Sequence, residues 1–217
     1  MSKPVTAKAV SDVSPASTGW RELSVPGAWE ITPQVFGDSR GGLFEWFTEQ
    51  AFAETTGRRF ELRQANCSVS AAGVLRGLHF AQLPPSQAKY ITCVKGAVFD
   101  VVVDIRVGSP TYGRWDSVLL DDVAHRSTYL SEGLAHGFCA LEEDSTVMYL
   151  CSTPYAPARE HTIAATDPAI GIEWPLSPEQ LIVSDRDAVA PTLAQVRAAG
   201  LLPTWDEYRT FTSGLPR

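Results

Sequence analysis

The sequence predicts an all-β fold, a sandwich or barrel of short strands. Two observations carry the prediction. About eight to ten runs of alternating apolar and polar residues fill the middle of the chain, at the roughly 8–12-residue spacing such folds show. The alternating strand–helix units of a doubly wound sheet are absent, as are the GxGxxG and GxxxxGKS/T phosphate loops.

The elements follow in order. Residues 1–19, rich in Ser, Ala, Pro and Val without a period, read as a flexible N-terminal extension, and residues 20–217 as one domain. Glu22–Val35 holds one or two strands broken at Pro26-Gly27, and Phe36–Gly42 forms turns. Leu43–Thr48 is strand-like. Glu49–Thr56 is a short helix capped by Thr48 and ended by Gly57. Phe60–Ser70 is a strand carrying Gln64 and Asn66, amides that suit either an edge surface or a ligand.

The stretch Val74–Arg106 organises the rest. In Val98–Arg106 one face carries Phe99, Val101, Val103 and Ile105, a core face. The other carries Asp100, Val102, Asp104 and Arg106, charges that need partners if they are buried. Lys95-Gly96 reads as a hairpin turn after Tyr90–Val94. Further strands are Trp115–Leu120, Ser127–Leu130, Ala135–Leu141 and Thr146–Ser152, the last with Val147, Tyr149 and Cys151 on one face. Beyond Thr153 turns dominate until a helix, Thr192–Ala199, closed by Gly200.

Composition narrows the function. A net charge of -7 and a pI near 5.1 argue against a nucleic-acid surface, though a local Arg/Lys cluster can still take a phosphorylated small molecule. The four cysteines stand singly in apolar or strand-like runs, without a CxxC pair, and read as free core thiols of a cytoplasmic protein. No apolar run reaches the roughly 18 residues of a membrane span, and the N-terminus lacks the apolar core of a secretory signal.

His79, in Arg76-Gly77-Leu78-His79-Phe80, is the first candidate for chemistry. A lone strand histidine is more often a packed residue, but Arg76, Lys89 and Asp100 lie close in the pattern, and such a polar interior must be paired or bind something. Arg76 and His79 point to opposite faces of a regular strand; a bulge at Gly77 would bring both inward. A metal would need more ligands than are visible. The HxH pair of a metal-binding jelly roll is missing, because Ala81 stands where the second histidine would be, and His125, His136 and His161 are scattered.

The segments RGLHF, QAKYITCVKGAVFDVVVDIRVGSPTYGRW, YLSEGLAHGF, IEWP and SDRDAVAP, in this order, resemble the dTDP-4-dehydrorhamnose 3,5-epimerase family, and more closely its antibiotic-deoxysugar branch. The resemblance covers about residues 24–205. It implies a cupin-like jelly-roll barrel with short peripheral helices, a homodimer, no metal or organic cofactor, and a dTDP-linked 4-keto-6-deoxyhexose as substrate. It implies His79 as base, Asp187 as its orienting carboxylate, Lys89 beside the C4 oxygen and Tyr149 as the acid on the opposite face. It places Arg76 and Arg40 on the pyrophosphate, Phe36 and Tyr155 on the thymine, Glu45 on the base edge, and Gln64, Asn66, Asp100 and His136 around the pocket. The segment Phe36–Glu45 would cross into the partner's site. Departures from the family pattern are the longer N-terminus, Ala81 after HF and Leu150 after Tyr149. Two other readings fit the same residues: a 3,4-ketoisomerase, which needs no opposite-face acid, and a silent sugar-nucleotide binding module.

Overall fold

The computed structural model describes residues 19–216. The expected extension therefore lies outside the described residues, apart from Gly19, which begins a strand. The strands in chain order are β1 (Gly19–Glu22), β2 (Ala28–Thr32), β3 (Val35–Asp38), β4 (Gly41–Phe44), β5 (Gln64–Ser70), β6 (Leu75–Ala81), β7 (Lys89–Lys95), β8 (Ala97–Asp104), β9 (Trp115–Asp121), β10 (Ser127–Leu130), β11 (Leu134–Ala140), β12 (Ser145–Cys151) and β13 (Glu160–Thr162). Among the described residues four α-helices accompany them, α1 (Glu49–Thr56), α2 (Asp185–Ala188), α3 (Leu193–Ala198) and α4 (Trp205–Ser213), with two short 3-10 turns.

Two antiparallel sheets face each other. One has the order β1-β2-β10-β7-β12-β5, the other β13-β6-β11-β8-β9. This is the jelly-roll barrel with peripheral helices that the resemblance implies. Between the sheets lies an apolar core that includes Ile91, Cys93, Val98, Val102, Leu130, Phe138 and Val147. Each sheet is also covered outside. On the six-stranded sheet, Trp20, Trp29, Phe47, Phe52, Phe60, Tyr90 and Tyr129 form an aromatic cluster under α1. On the other, Leu78, Phe80, Val101, Val103 and Ile105 meet Ile163, Leu176, Leu193, Val196 and Leu202 of the C-terminal segment.

This double covering corrects several readings. The charged face of Val98–Arg106 is as buried as its apolar face, because one packs between the sheets and the other beneath the C-terminal segment. Asp104 and Arg106 supply the partners that buried charges need: both are fully buried and pair with each other, Arg106 Nε donating to Asp104 Oδ1 at 2.8 Å. Lys95-Gly96 is no hairpin turn, since β7 and β8 belong to different sheets and the turn passes the chain between them. Phe36–Gly42 is more than a turn: β3 and β4 pair across it into an exposed ribbon. Cys93, Cys139 and Cys151 are buried free thiols, but Cys67 faces outward from β5 and is exposed. Helix α4 was not foreseen. Among the described residues no helix is long and apolar enough to cross a membrane.

Candidate active site

A single irregularity in β6 makes the site. In the ladder with β11, Arg76 faces Phe138 and His79 faces His136, so β6 advances three residues where β11 advances two. The surplus at Gly77-Leu78 is the bulge expected from the sequence, and both Arg76 and His79 reach the cavity between the sheets. Gly77 has φ +125°, and a Cβ there would stand 2.6 Å from Gly137 Cα and 2.8 Å from the His136 carbonyl oxygen. Only glycine fits so close an approach of two strands.

Asp187 arrives from 108 residues away. After β13 the chain returns along β6, where the Leu75 N–H donates to the Ile182 carbonyl at 2.9 Å and the Ile182 N–H to the Gly73 carbonyl at 2.8 Å. Ser184 then caps α2, accepting from the Asp187 N–H at 3.2 Å. This aims Asp187 Oδ1 at His79, whose Nε2 donates to it at 2.9 Å. The aspartate side chain is only 6% exposed, the imidazole 35%. Burial pushes the Asp187 pKa up, but the His79 hydrogen bond and charge, with help from the Gly77 N–H and Ser184, outweigh it and hold the carboxyl below its usual range. An ionised carboxylate can only accept, so Nε2 keeps its proton and Nδ1 remains the basic nitrogen of the ring.

His79 and Asp187 line a cavity of about 460 Å³ together with Arg76, Lys89, His136 and Tyr149. Lys89 opens β7 opposite Cys151 of β12, and Tyr149 lies two residues earlier on the same face of that strand. Burial lowers the Lys89 pKa against the pull of Cys151, Glu160 and Asp100. Burial likewise raises that of the Tyr149 phenol. A second carboxylate–imidazole pair stands behind the first: His136 Nε2 donates to Asp100 Oδ1 at 2.6 Å, and burial drives the imidazole pKa down. Asp100 is 1% exposed and supports His136 from behind, without lining the cavity. Gathered around one hollow are thus an oriented base, a phenol, an ammonium and two guanidinium groups, those of Arg76 and Arg186.

Other expected site residues lie elsewhere in this chain. Phe36, Arg40 and Glu45 sit on or beside the β3–β4 ribbon, exposed and off the cavity wall, with Arg40 paired to Asp38. Tyr155 is 55% exposed, and its backbone N–H donates to Gln64 Oε1 at 2.8 Å. Gln64 and Asn66 lie on edge strand β5, Asn66 directly opposite Tyr149. Sequence reasoning missed Ser68, Phe138 and Arg186 as wall residues. Arg186 had a signal in its position next to Asp187; Ser68 had one in its alternation with Gln64 and Asn66. Leu150 packs on the outer aromatic cluster, away from the site. Among the described residues no three His, Cys, Asp or Glu side chains are grouped to hold a metal ion, and His125 stacks on Phe44 at 4.2 Å.

The sequence profile of the dTDP-4-dehydrorhamnose 3,5-epimerase family matches residues 22–195. The chain belongs to this family. A dTDP-4-dehydrorhamnose 3,5-epimerase of Mycolicibacterium smegmatis is 68% identical over 197 residues, which are 91% of this chain and 96% of that protein. The solved Mycobacterium tuberculosis rmlC epimerase superposes with a TM-score of 0.89 at 63% identity, covering 91% of this chain and 100% of its own. NovW, a 4-keto-6-deoxy sugar epimerase from the novobiocin biosynthetic gene cluster of Streptomyces spheroides, superposes with a TM-score of 0.85 at 50% identity, covering 91% and 100%. The epimerase match includes His79, Lys89, Tyr149 and Asp187, whereas α4 lies beyond it.

Proposed function

We propose that this protein is a cofactor-independent epimerase that inverts C3 and C5 of a dTDP-linked 4-keto-6-deoxyhexose. The carrying observation is the His79–Asp187 pair sharing one cavity with Lys89 and Tyr149. A ketone at C4 acidifies the neighbouring C–H bonds because the carbanion spreads onto oxygen as an enolate. His79 Nδ1 takes the proton, and Asp187 stabilises the imidazolium that results. The Lys89 ammonium faces the growing charge on the C4 oxygen in a poorly solvated setting, where such an interaction is strong. Tyr149 returns a proton from the other face, which completes inversion. The identity of 68% to a 3,5-epimerase supports action at both carbons.

Arg76 holds the pyrophosphate within the chain. Arg40, Phe36 and Glu45 serve the site of a second copy, with Phe36 and Tyr155 against the thymine; their exposure in the single chain suits that role. The acting form is then a homodimer with shared sites, and its free thiols suit the cytoplasm.

The test is incubation with dTDP-4-keto-6-deoxyglucose in heavy water, read by NMR carbon by carbon. Wild type should exchange at C3 and C5 and form epimer. Tyr149→Phe should still exchange, because His79 can return a proton to the face it came from, yet form epimer far more slowly. Exchange at C3 alone would reduce the reading to a monoepimerase. Loss of exchange in Tyr149→Phe would remove the two-face mechanism.

A further inference from the structure

We propose that Gly73 is a positioning residue that lets one strand set both halves of the His79–Asp187 pair, a role that rests on the epimerase function proposed above. His79 lies on β6 itself. Asp187 is tied to the same strand at its start, where Val74 and Ile182 form a parallel bridge. The Leu75 N–H donates to the Ile182 carbonyl at 2.9 Å, and the Ile182 N–H to the Gly73 carbonyl at 2.8 Å. This clasp needs a residue without a side chain. Gly73 has φ +85°, and a Cβ there would stand 2.5 Å from the Gln180 carbonyl oxygen, far inside any real contact. Neither side is free to step back. Gly73 is held from behind by β11, its N–H donating to the Ala140 carbonyl at 2.8 Å. Gln180 ends a short 3-10 turn, its Oε1 accepting from the Ser177 N–H at 3.1 Å, and the flanking Leu176 and Leu181 pack on the core. A methyl group on Gly73 would therefore part the two segments and break the clasp.

The clasp matters because α2 cannot place Asp187 unaided. It is a single turn, and one turn of helix is not stable by itself. The chain on either side must hold it. Downstream, the Ala164 N–H donates to the Pro191 carbonyl at 2.8 Å, and Arg186 within α2 reaches the Glu160 carbonyl at 3.3 Å. Those contacts fix α2 to β13 and the residues after it. The clasp fixes it to β6, the strand of the base. Asp187 follows Ile182 by five residues, with the Ser184 cap between them, so the register at Ile182 sets where the carboxylate stands. Oδ1 lies 2.9 Å from His79 Nε2, and a shift of about 1 Å breaks the hydrogen bond that fixes the imidazole tautomer. Gly73 is buried and lies off the cavity wall, so it acts through Asp187 alone. The two glycines have separate jobs: Gly77 brings His79 inward, and Gly73 admits the segment that carries its carboxylate.

The experiment is a double-mutant cycle of Gly73→Ala with Asp187→Asn, read as turnover of dTDP-4-keto-6-deoxyglucose and as dTDP affinity by calorimetry. A residue that acts only through Asp187 has nothing left to disturb once that carboxylate is gone. Gly73→Ala should lower turnover at least about tenfold in the wild-type background and by less than about twofold in the Asp187→Asn background, with dTDP affinity within about twofold throughout. Ile182→Pro is the second arm and serves if Gly73→Ala does not fold. It deletes the N–H given to Gly73 without adding an atom there, and Leu181, at φ −79° and ψ 133°, already has the extended backbone that a following proline requires. The same loss and the same non-additivity are expected. Losses that multiply in full in the double variants would mean a general disturbance of the fold and overturn the proposal. Weaker dTDP binding at unchanged turnover would overturn it too, as would wild-type turnover in both single variants. If Asp187→Asn itself keeps near wild-type turnover, the oriented base falls and takes the clasp with it; if Asp187→Asn is impaired and the other losses add to it, the clasp alone falls.

Discussion

Within the His79–Asp187 pair the two partners have different jobs, and substitutions should separate them. His79→Asn removes the basic nitrogen, and turnover should drop by at least about a hundredfold. Affinity for dTDP should hardly change if, as proposed, its contacts lie with Arg76 and the aromatic groups. Asp187→Asn keeps the shape, but its side-chain NH₂ can meet His79 only if the ring gives up the proton on Nε2 and takes one on Nδ1. The wrong tautomer then faces the substrate, and turnover should again fall at least about a hundredfold with dTDP binding intact. Steady-state kinetics with calorimetry checks both; near wild-type turnover in either variant would unseat the pair. Much of this was legible beforehand at the level of single residues. Glycine before a strand histidine announced the bulge by its own chemistry. Asp187 was different: no periodicity connects positions 108 residues apart, and only the family resemblance pointed to it. The Asp100–His136 contact was missed as a pair, because β8 and β11 become neighbours only through a crossover; the family resemblance, not strand parity, placed both around the pocket.

At the scale of elements, the turn after β8 is held by a buried ion pair. Asp104 accepts from the Arg106 backbone N–H at 3.0 Å and from Arg106 Nε, Ser109 Oγ and Thr111 Oγ1 at 2.8, 2.6 and 2.6 Å. The guanidinium lies over Trp205 at 4.7 Å and Tyr208 at 4.3 Å, so α4 docks on a buried cation whose partners the sequence left open. Helix α4 escaped sequence reading because its fixing partner, Arg106, is about a hundred residues earlier. Burial raises the Asp104 pKa, but Arg106, Ser109 and Thr111 outweigh it and the folded value is depressed. A depressed carboxylate stabilises the fold above its unfolded pKa of about 3.9 and loses that contribution as pH falls through the folded value. Asp104→Ala leaves Arg106 buried and unpaired and should cost roughly 3–5 kcal/mol near neutral pH. Urea denaturation should show that gap narrowing as pH falls below the unfolded pKa of about 3.9, as the wild-type carboxylate takes up its proton. A gap that stayed constant with pH would mean that packing, not charge, carries the turn.

At the scale of the whole molecule, the exposed β3–β4 ribbon is the feature a single chain leaves unexplained. Val35, Phe36 and Leu43 are 45%, 58% and 73% exposed, on strands that pair with each other but with neither main sheet. Apolar side chains on so open a ribbon suit a surface that another copy covers. Sequence reading took Phe36–Gly42 for turns because glycines crowd it, and only the family resemblance had the segment cross to a partner; the exposure of its apolar residues, which sequence cannot supply, suits that reading. In a twofold dimer that lends Phe36, Arg40 and Glu45 to the neighbouring cavity, each site holds His79 from one chain and Arg40 from the other. Sedimentation should then give about twice the 23.6 kDa chain mass. Arg40→Ala and His79→Ala homodimers should each be impaired, every site carrying one lesion. A mixed dimer gathers both lesions into one site and frees the other, so equal mixing after dissociation should restore roughly a quarter of wild-type activity. If Arg40 served its own chain's cavity, every mixed site would still carry one lesion and no activity would return; a fully active monomer would rule out shared sites altogether.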